Sequence, residues 1–215
     1  MEMLDIGLLN FLLNVKDTVV TVERIPDYPI EKVFVKRWSP RAFDASPMPS
    51  SDLLTMLEAA RWAPSAFNVQ PWRFLYSLRD DDHWPTYLNL LDPFNSTWAR
   101  NASALVFVLS DTVMPGQDRR RQKISRTHSF DAGAAWAQLA LQATLLGYQA
   151  HAMAGIYFEQ SHKVLAIPDR YRVEIAVAIG KRACKSVLPV DLRDREIPSM
   201  RLPVMKIASA GQFSC

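Results

Sequence analysis

The chain has 215 residues, 49% hydrophobic and 22% charged, which excludes intrinsic disorder and fits an ordinary globular protein. Lysine and arginine number 25 against 22 aspartate and glutamate, and a formal charge of +3 is too small to make nucleic acid the default partner. The seven glycines include no pair two, four or five residues apart, which excludes a G-x-G dinucleotide turn, a G-x-S-x-G nucleophile elbow and a Walker A loop.

Residues 1–30 read as an arm, ending in a stretch punctuated by Pro26 and Pro29. Its apolar run, Leu4 to Val15, has Glu2 and Asp5 at its start where a signal peptide carries Lys or Arg, and no small-residue cleavage site follows. Residues 36–50 are irregular around Pro40, Pro47 and Pro49. Ser50 or Ser51 caps a helix to Arg61, with Asp52 in its positive first turn and Leu53, Leu57 and Ala60 at helical spacing. A polar loop spans 62–72. Phe74 to Ser77 reads as a strand, and 81–91 as a helix with Asp80, Asp81 and Asp82 at its start. Ala104 to Leu109 is a buried strand, followed by a basic loop over 114–129. Asp131 opens a helix through 146, with Gly147 as its C′ residue. No charged residue occurs from Ala132 to Phe158, but Gln138, Gln142, Gln149 and His151 argue for a buried helix or dimer interface over a membrane span. A short helix over 159–166 ends before Pro168, and Val173 to Ile179 is a strong strand. The tail, 183–215, carries Pro189, Pro198 and Pro203 and reads as extended. Interspersed helices and strands indicate an α/β or α+β layered structure, and no linker divides 1–215 into more than one domain.

Two cysteines and four histidines show no zinc spacing, so no metal is expected, and few cysteines point to a reducing, cytoplasmic setting. Trp38, Trp72, Trp84, Trp98 and Trp136 are expected in the core, Trp98 having a second reading as a pocket wall. His128 and His151 read either as buried residues or as neighbours of a pocket. The basic run Arg119 to Lys123 with Arg126 reads as a solvated loop, or as an attractor for the 2′-phosphate of NADPH.

Three segments carry candidate chemistry. Arg37-Trp38-Ser39-Pro40-Arg41 sets two guanidinium groups and a hydroxyl in a proline-stiffened loop, where same-side residues of an extended segment could fork a phosphate. Ala63-Pro64-Ser65-Ala66-Phe67-Asn68-Val69-Gln70-Pro71-Trp72-Arg73-Phe74 is a loop between a helix and a strand. Asn68 and Gln70 alternate there, so their amides could face one heterocycle edge; an ordinary turn is the other reading. Glu196-Ile197-Pro198-Ser199-Met200-Arg201-Leu202-Pro203 repeats the pairing of Ser and Arg in an extended, proline-fixed segment.

In order along the chain, these segments resemble the FMN-dependent nitroreductase family from about Val35 to Phe213. R-W-S-P-R is similar to that family's R-x-S-x-R/K opening, and A-P-S-A-F-N-V-Q-P-W to its P-S-x-x-N-x-Q-P-W signature. Residues Phe94 to Ala102, Asp131 to Ala135, Ala152 to Gly155 and P-S-M-R-L-P match further stretches. The resemblance implies an α+β, three-layer fold with a mixed β-sheet flanked by helices, as an intertwined homodimer with FMN at the interface. It implies that Arg37, Ser39 and Arg201 hold the FMN phosphate, with Trp38 in the same loop. Arg41 and Asn95 would lie by the N1/O2 edge of the flavin. Pro64, Ser65, Ala66 and Asn68 would border it from the partner subunit, and Gln70 would bond the ribityl chain or ring edge. Gly155, beside Ala154, would bring its N–H to flavin N5. Chemistry would belong to the flavin, with NAD(P)H as reductant and an electron-poor small molecule as acceptor; neither nucleic acid nor membrane is implied. Trp98, Ala154 and Ser199 stand where some members have Lys, Glu and Lys, departures that bear on flavin potential and acceptor choice. Ala154 and Trp98 also motivate a divergent flavin chemistry, dehalogenase- or dehydrogenase-like. A flavin-binding dimer without turnover is the remaining alternative.

Overall fold

The computed structural model describes residues 23–114 and 123–213. Four strands form the main sheet: β1 (Trp72–Leu78), β2 (Ala104–Asp111), β5 (Gln149–Met153) and β6 (Tyr171–Gly180), in the order β1-β2-β6-β5. A small second sheet pairs β3 (Val113–Met114) with β4 (Lys123–Ile124). The expectation of a mixed sheet is corrected among the described residues: all three pairings in the main sheet are antiparallel. The physical reason is strand insertion. The crossover through α5 (His128–Leu145) leaves β2 and β5 running the same way, but β6 lies between them and pairs antiparallel with both.

Every residue of β2 is buried, which explains its unbroken apolar run. Its side chains alternate between two cores. Ala104, Val106 and Val108 pack under α2 (Ser50–Arg61) and α5, against Leu53, Met56, Ala135 and Leu139. Leu105, Phe107 and Leu109 face α3 (Trp84–Asn89), α4 (Pro93–Ala99) and α7 (Val190–Arg193), against Tyr87, Trp98 and Leu192. This is the expected α+β three-layer arrangement. Each fully buried Leu or Phe in it contributes about 1.5–3 kcal/mol relative to exposure. The long helix α5 ends as its sequence indicates. Gly147 has φ 81°, its N–H donates to Thr144 O, and Tyr148 N–H donates to Ala143 O, the two bonds of a Schellman motif.

Several local expectations change. No side chain caps α2, whose N-cap is Pro49, so Ser50 and Ser51 lie inside the helix. The run Asp80 to Asp82 is a turn before α3 rather than part of it: Asp80 has φ 71°, and Asp81 Oδ2 accepts from Leu78 N–H at 2.9 Å. Helix α4 is added, with Asp92 accepting from Asn95 N–H at 2.7 Å and Pro93 at its first position, a start signal present in the sequence. Helix α1 (Lys32–Lys36) and helix α6 (Phe158–Val164) complete the helices. Strand β5 is also added; its alanine-rich run has little strand preference and takes its conformation from pairing with β6. The tail is not uniformly extended, because α7 and 3₁₀ turns at Lys185–Val187 and Val204–Lys206 interrupt it. Pro189 sets the entry to α7, and Leu192 anchors it in the core. Of the expected arm, residues 1–22 lie outside the described residues.

Candidate functional site

The irregular segment after α1 and the segment after α7 meet in a concavity of about 320 Å³ lined by Arg37, Trp38, Ser39, Arg41, His151, Arg195, Ile197, Ser199 and Arg201. Two of the three candidate segments are therefore brought together from opposite ends of the chain. Arg37 Nη1 donates to Ser39 Oγ at 3.4 Å, and Arg201 Nη1 donates to Ser199 Oγ at 3.0 Å. Arg37 and Arg201 are thus each oriented by a serine two residues away.

The pocket is strongly cationic. Burial lowers the pKa of Arg37, and Arg201 lowers it further. Arg24 is lowered by burial, then by Arg201 and Arg37; its guanidinium donates to the carbonyl oxygens of Val35 and Arg37. For Arg41 burial comes first, then Arg195, with Glu196 acting in the opposite direction. Arg41 Nε is buried without a hydrogen-bond partner. Guanidinium groups that repel one another and keep donor capacity unused make an anion site, most suitably for a phosphate.

Behind the cations lies an aromatic wall. Trp98 is 1% exposed, so the core reading holds and it does not line the concavity. His151 packs on it with ring centroids 4.7 Å apart, and the Arg41 guanidinium lies 6.0 Å from the Trp98 ring centroid. His151 Nδ1 donates to Pro40 O at 2.9 Å, so that nitrogen carries the proton. Burial lowers the pKa of His151 to about 4, with Arg41 and Arg37 contributing, and the ring is neutral near pH 7.

The loop from Pro64 to Gln70 is not among the residues lining this concavity. Its backbone overturns the alternation expected of Asn68 and Gln70. Phe67, Asn68 and Gln70 have φ of 52°, 54° and 49°, so the segment is a tight turn rather than an extended strand. Gln70 Nε2 donates to Asn68 O at 3.3 Å, and Gln70 N–H donates to Ser65 Oγ at 3.0 Å. Asp131, buried in the first turn of α5, accepts from Ala66 N–H at 3.3 Å and from Thr127 Oγ1 at 3.1 Å. The turn holds Phe67 out at 91% exposure.

Asn95 and Gly155 form a third group. Asn95 is buried, and its Nδ2 donates to Gly155 O at 3.1 Å, while Asp92 N–H donates to the same oxygen at 3.0 Å. The Asn95 amide therefore serves the backbone at Gly155. Ala154 is exposed beside it, at the end of the strand that carries His151.

Two further features lie outside these groups. Most of the basic run, residues 115–122, lies outside the described residues. His128 borders a different polar cluster: Ser110 Oγ and Ser129 Oγ both donate to Glu174 Oε1, at 2.5 and 2.7 Å, and His128 Nδ1 is 2.7 Å from Ser110 Oγ. A serine whose proton goes to a carboxylate rather than to imidazole is not wired as a triad nucleophile. Among the described residues no group of three potential ligands could hold a metal ion, and no helix is long and apolar enough to cross a membrane. Sequence reasoning missed Arg24, Arg195 and the role of Glu196; His151, read as buried or as a neighbour of a pocket, lines the concavity. Glu196 opens the third candidate segment, but only its contacts across the fold distinguish it from a surface carboxylate.

Comparison with known proteins places these features in a family. A profile described as the Nitroreductase family matches residues 34–90 and 79–181, more than half of the chain. The fold superposes with a TM-score of 0.87 on a crystal structure described as an oxidoreductase containing FMN, 52% identical, covering 89% of this chain and 96% of that one. A nitroreductase-type protein of Exiguobacterium sibiricum 255-15, solved in complex with FMN, is 25% identical with a TM-score of 0.66, covering 87% and 99% of the two chains. A 15.4 kDa protein from the ask 5′ region of Mycolicibacterium smegmatis is 34% identical over 134 residues, 62% of this chain and 86% of its own.

Proposed function

This chain belongs to the nitroreductase family, and on that premise we propose that it is an FMN-dependent oxidoreductase in which NAD(P)H is the reductant and an electron-poor molecule the acceptor. Nitroaromatics, quinones and activated alkenes are the acceptor classes, used in alternation with NAD(P)H at one pocket. The observation that carries the reading is the convergence of Arg37, Ser39, Arg41 and Arg201 in one cationic concavity.

The residues present fit FMN. Arg37, Ser39 and Arg201 would hold its phosphate, because mutually repelling guanidinium groups gain most from a dianion and no glycine-rich loop supplies backbone donors. Arg41 keeps an unused buried donor and a permanent charge, suited to the N1/O2 edge, where negative charge collects on reduction. The chemistry that bound FMN would supply is two-electron transfer, the protein contributing orientation and electrostatics. Asn95 fixes the Gly155 carbonyl and so sets the peptide between Gly155 and Ile156. His151, neutral and with its proton committed to Pro40, keeps the back wall free of added charge.

A homodimer belongs to the same reading. Pro64, Ser65, Ala66, Asn68 and Gln70 lie in a loop that does not line the chain's own concavity, so a second copy is the means of bringing them to it. Phe67, Phe130 and Phe213, each at least 80% exposed, are apolar groups that such a partner would cover.

The test is the absorption spectrum of the purified protein before and after anaerobic NADPH. Yellow protein that bleaches supports cofactor and reductant together, and protein that neither carries nor takes up FMN overturns the reading.

A further inference from the structure

We infer that Glu196 is a positioning residue for the anion pocket, holding the Arg37–Arg41 segment against the Arg195–Arg201 segment so that both face one phosphate; the inference rests on the FMN reading above. Glu196 is 5% exposed. Both of its carboxylate oxygens accept from Arg41 N–H, at 2.8 and 3.1 Å, and Oε1 also accepts from Ala42 N–H at 2.8 Å. These bonds span 154 and 155 positions of sequence. Backbone pairing of Phe43 with Arg182 ties the neighbouring residues, but Glu196 makes the tie at the pocket itself. Its carboxylate is committed to backbone donors on both sides of Arg41, which ties the segment that carries Arg37 and Ser39 to the segment that carries Arg201.

Charge and position act in opposite directions on FMN. A carboxylate close to a phosphate site repels phosphate. If Glu196 were only a neighbouring charge, neutralising it would tighten FMN. If it positions the cations, the same change loosens FMN, because the side chain introduced by Glu196→Gln would turn an amide donor toward the Arg41 N–H that the second oxygen now receives.

The experiment is titration of the flavin-depleted full-length protein with FMN and with riboflavin, followed by flavin fluorescence, for wild type, Glu196→Gln, Glu196→Asp and Arg201→Ala. Thermal melts of each variant report folding. We expect Glu196→Gln to raise the FMN dissociation constant roughly tenfold and the riboflavin constant less than about threefold. Glu196→Asp keeps the charge but withdraws the oxygens by one methylene, and should shift FMN in the same direction. Tighter or unchanged FMN binding in Glu196→Gln overturns the inference. So does an equal loss for FMN and riboflavin, or failure of both variants to fold, since either makes Glu196 a general fold residue. If Arg201→Ala lowers the preference for FMN and the Glu196 variants do not, this inference alone fails. If Arg201→Ala leaves that preference intact, the phosphate reading itself fails.

Discussion

Gly155 has no side chain because the Asp92 carboxylate occupies the space where one would be. A Cβ built at 155 would fall inside the van der Waals surface of Asp92 Oδ2 and lie 2.5 Å from Asn95 Nδ2. Asp92 is the N-cap of α4, and its N–H also donates to Gly155 O. The strand end after β5 and the start of α4 are thus closed on each other. Gly155→Ala must break the cap or move the strand end, and should cost about 1–3 kcal/mol in urea unfolding. It should also weaken FMN binding. Unchanged stability would show that the Asp92 carboxylate has room to turn away.

Arg201→Ala removes a charge-assisted partner from the phosphate end of the pocket. Such bonds are worth roughly 1.5–3 kcal/mol, so FMN affinity should fall about ten- to a hundredfold, while riboflavin loses little. Flavin content of the purified variant and the two titrations check this.

Arg41→Ala should leave some FMN bound but make it harder to reduce. Loss of a permanent positive charge beside the developing negative charge should lower the two-electron midpoint potential by about 30 mV or more. Spectroelectrochemical titration of both proteins measures it, and an equal potential would move Arg41 away from the N1/O2 edge.

His151 makes stability depend on pH. Its folded pKa, about 4, lies below the ordinary 6.5, so between these values the unfolded state binds the extra proton. Stability should therefore fall as pH drops from about 6.5 to about 4, by at most about 3 kcal/mol from this residue. In urea melts without added FMN, His151→Phe should flatten that slope. An unaltered slope would assign it to other groups.

Gly147→Ala serves as a control away from the pocket. Nothing lies within 4 Å of a Cβ there, so the cost is purely that of a left-handed residue, about 1 kcal/mol. FMN affinity should not change.

Much of the fold is legible in order along the chain. The buried strand at Ala104, the strand at Val173 and the helix ending at Gly147 all follow from local pattern, as do the arginine and serine pairs of both pocket segments. Their local chemistry is short-range: apolar runs, proline stiffening and a glycine stop act within a few residues. Elements with weak local preference are not legible. The alanine-rich β5 is a strand because β6 pairs with it. Likewise, the spacing of Asn68 and Gln70 implies a shared face, whereas three residues of left-handed backbone turn that loop back on itself.

What the sequence by itself determined is the inventory: which segments carry cations, amides and prolines, and which stretches must be buried. Tertiary structure alone decided which of them meet. Arg37 and Arg201 share a concavity, and beside it Glu196, a carboxylate to which the sequence assigns no role, is buried against two backbone N–H groups from the other end of the chain. The same folding turned Trp98 into the core and committed the Asn95 amide to Gly155 O. The physical reason is that desolvation and hydrogen-bond partnership are properties of a residue's surroundings. A carboxylate is surface decoration or a buried clamp according to the donors that the fold sets against it.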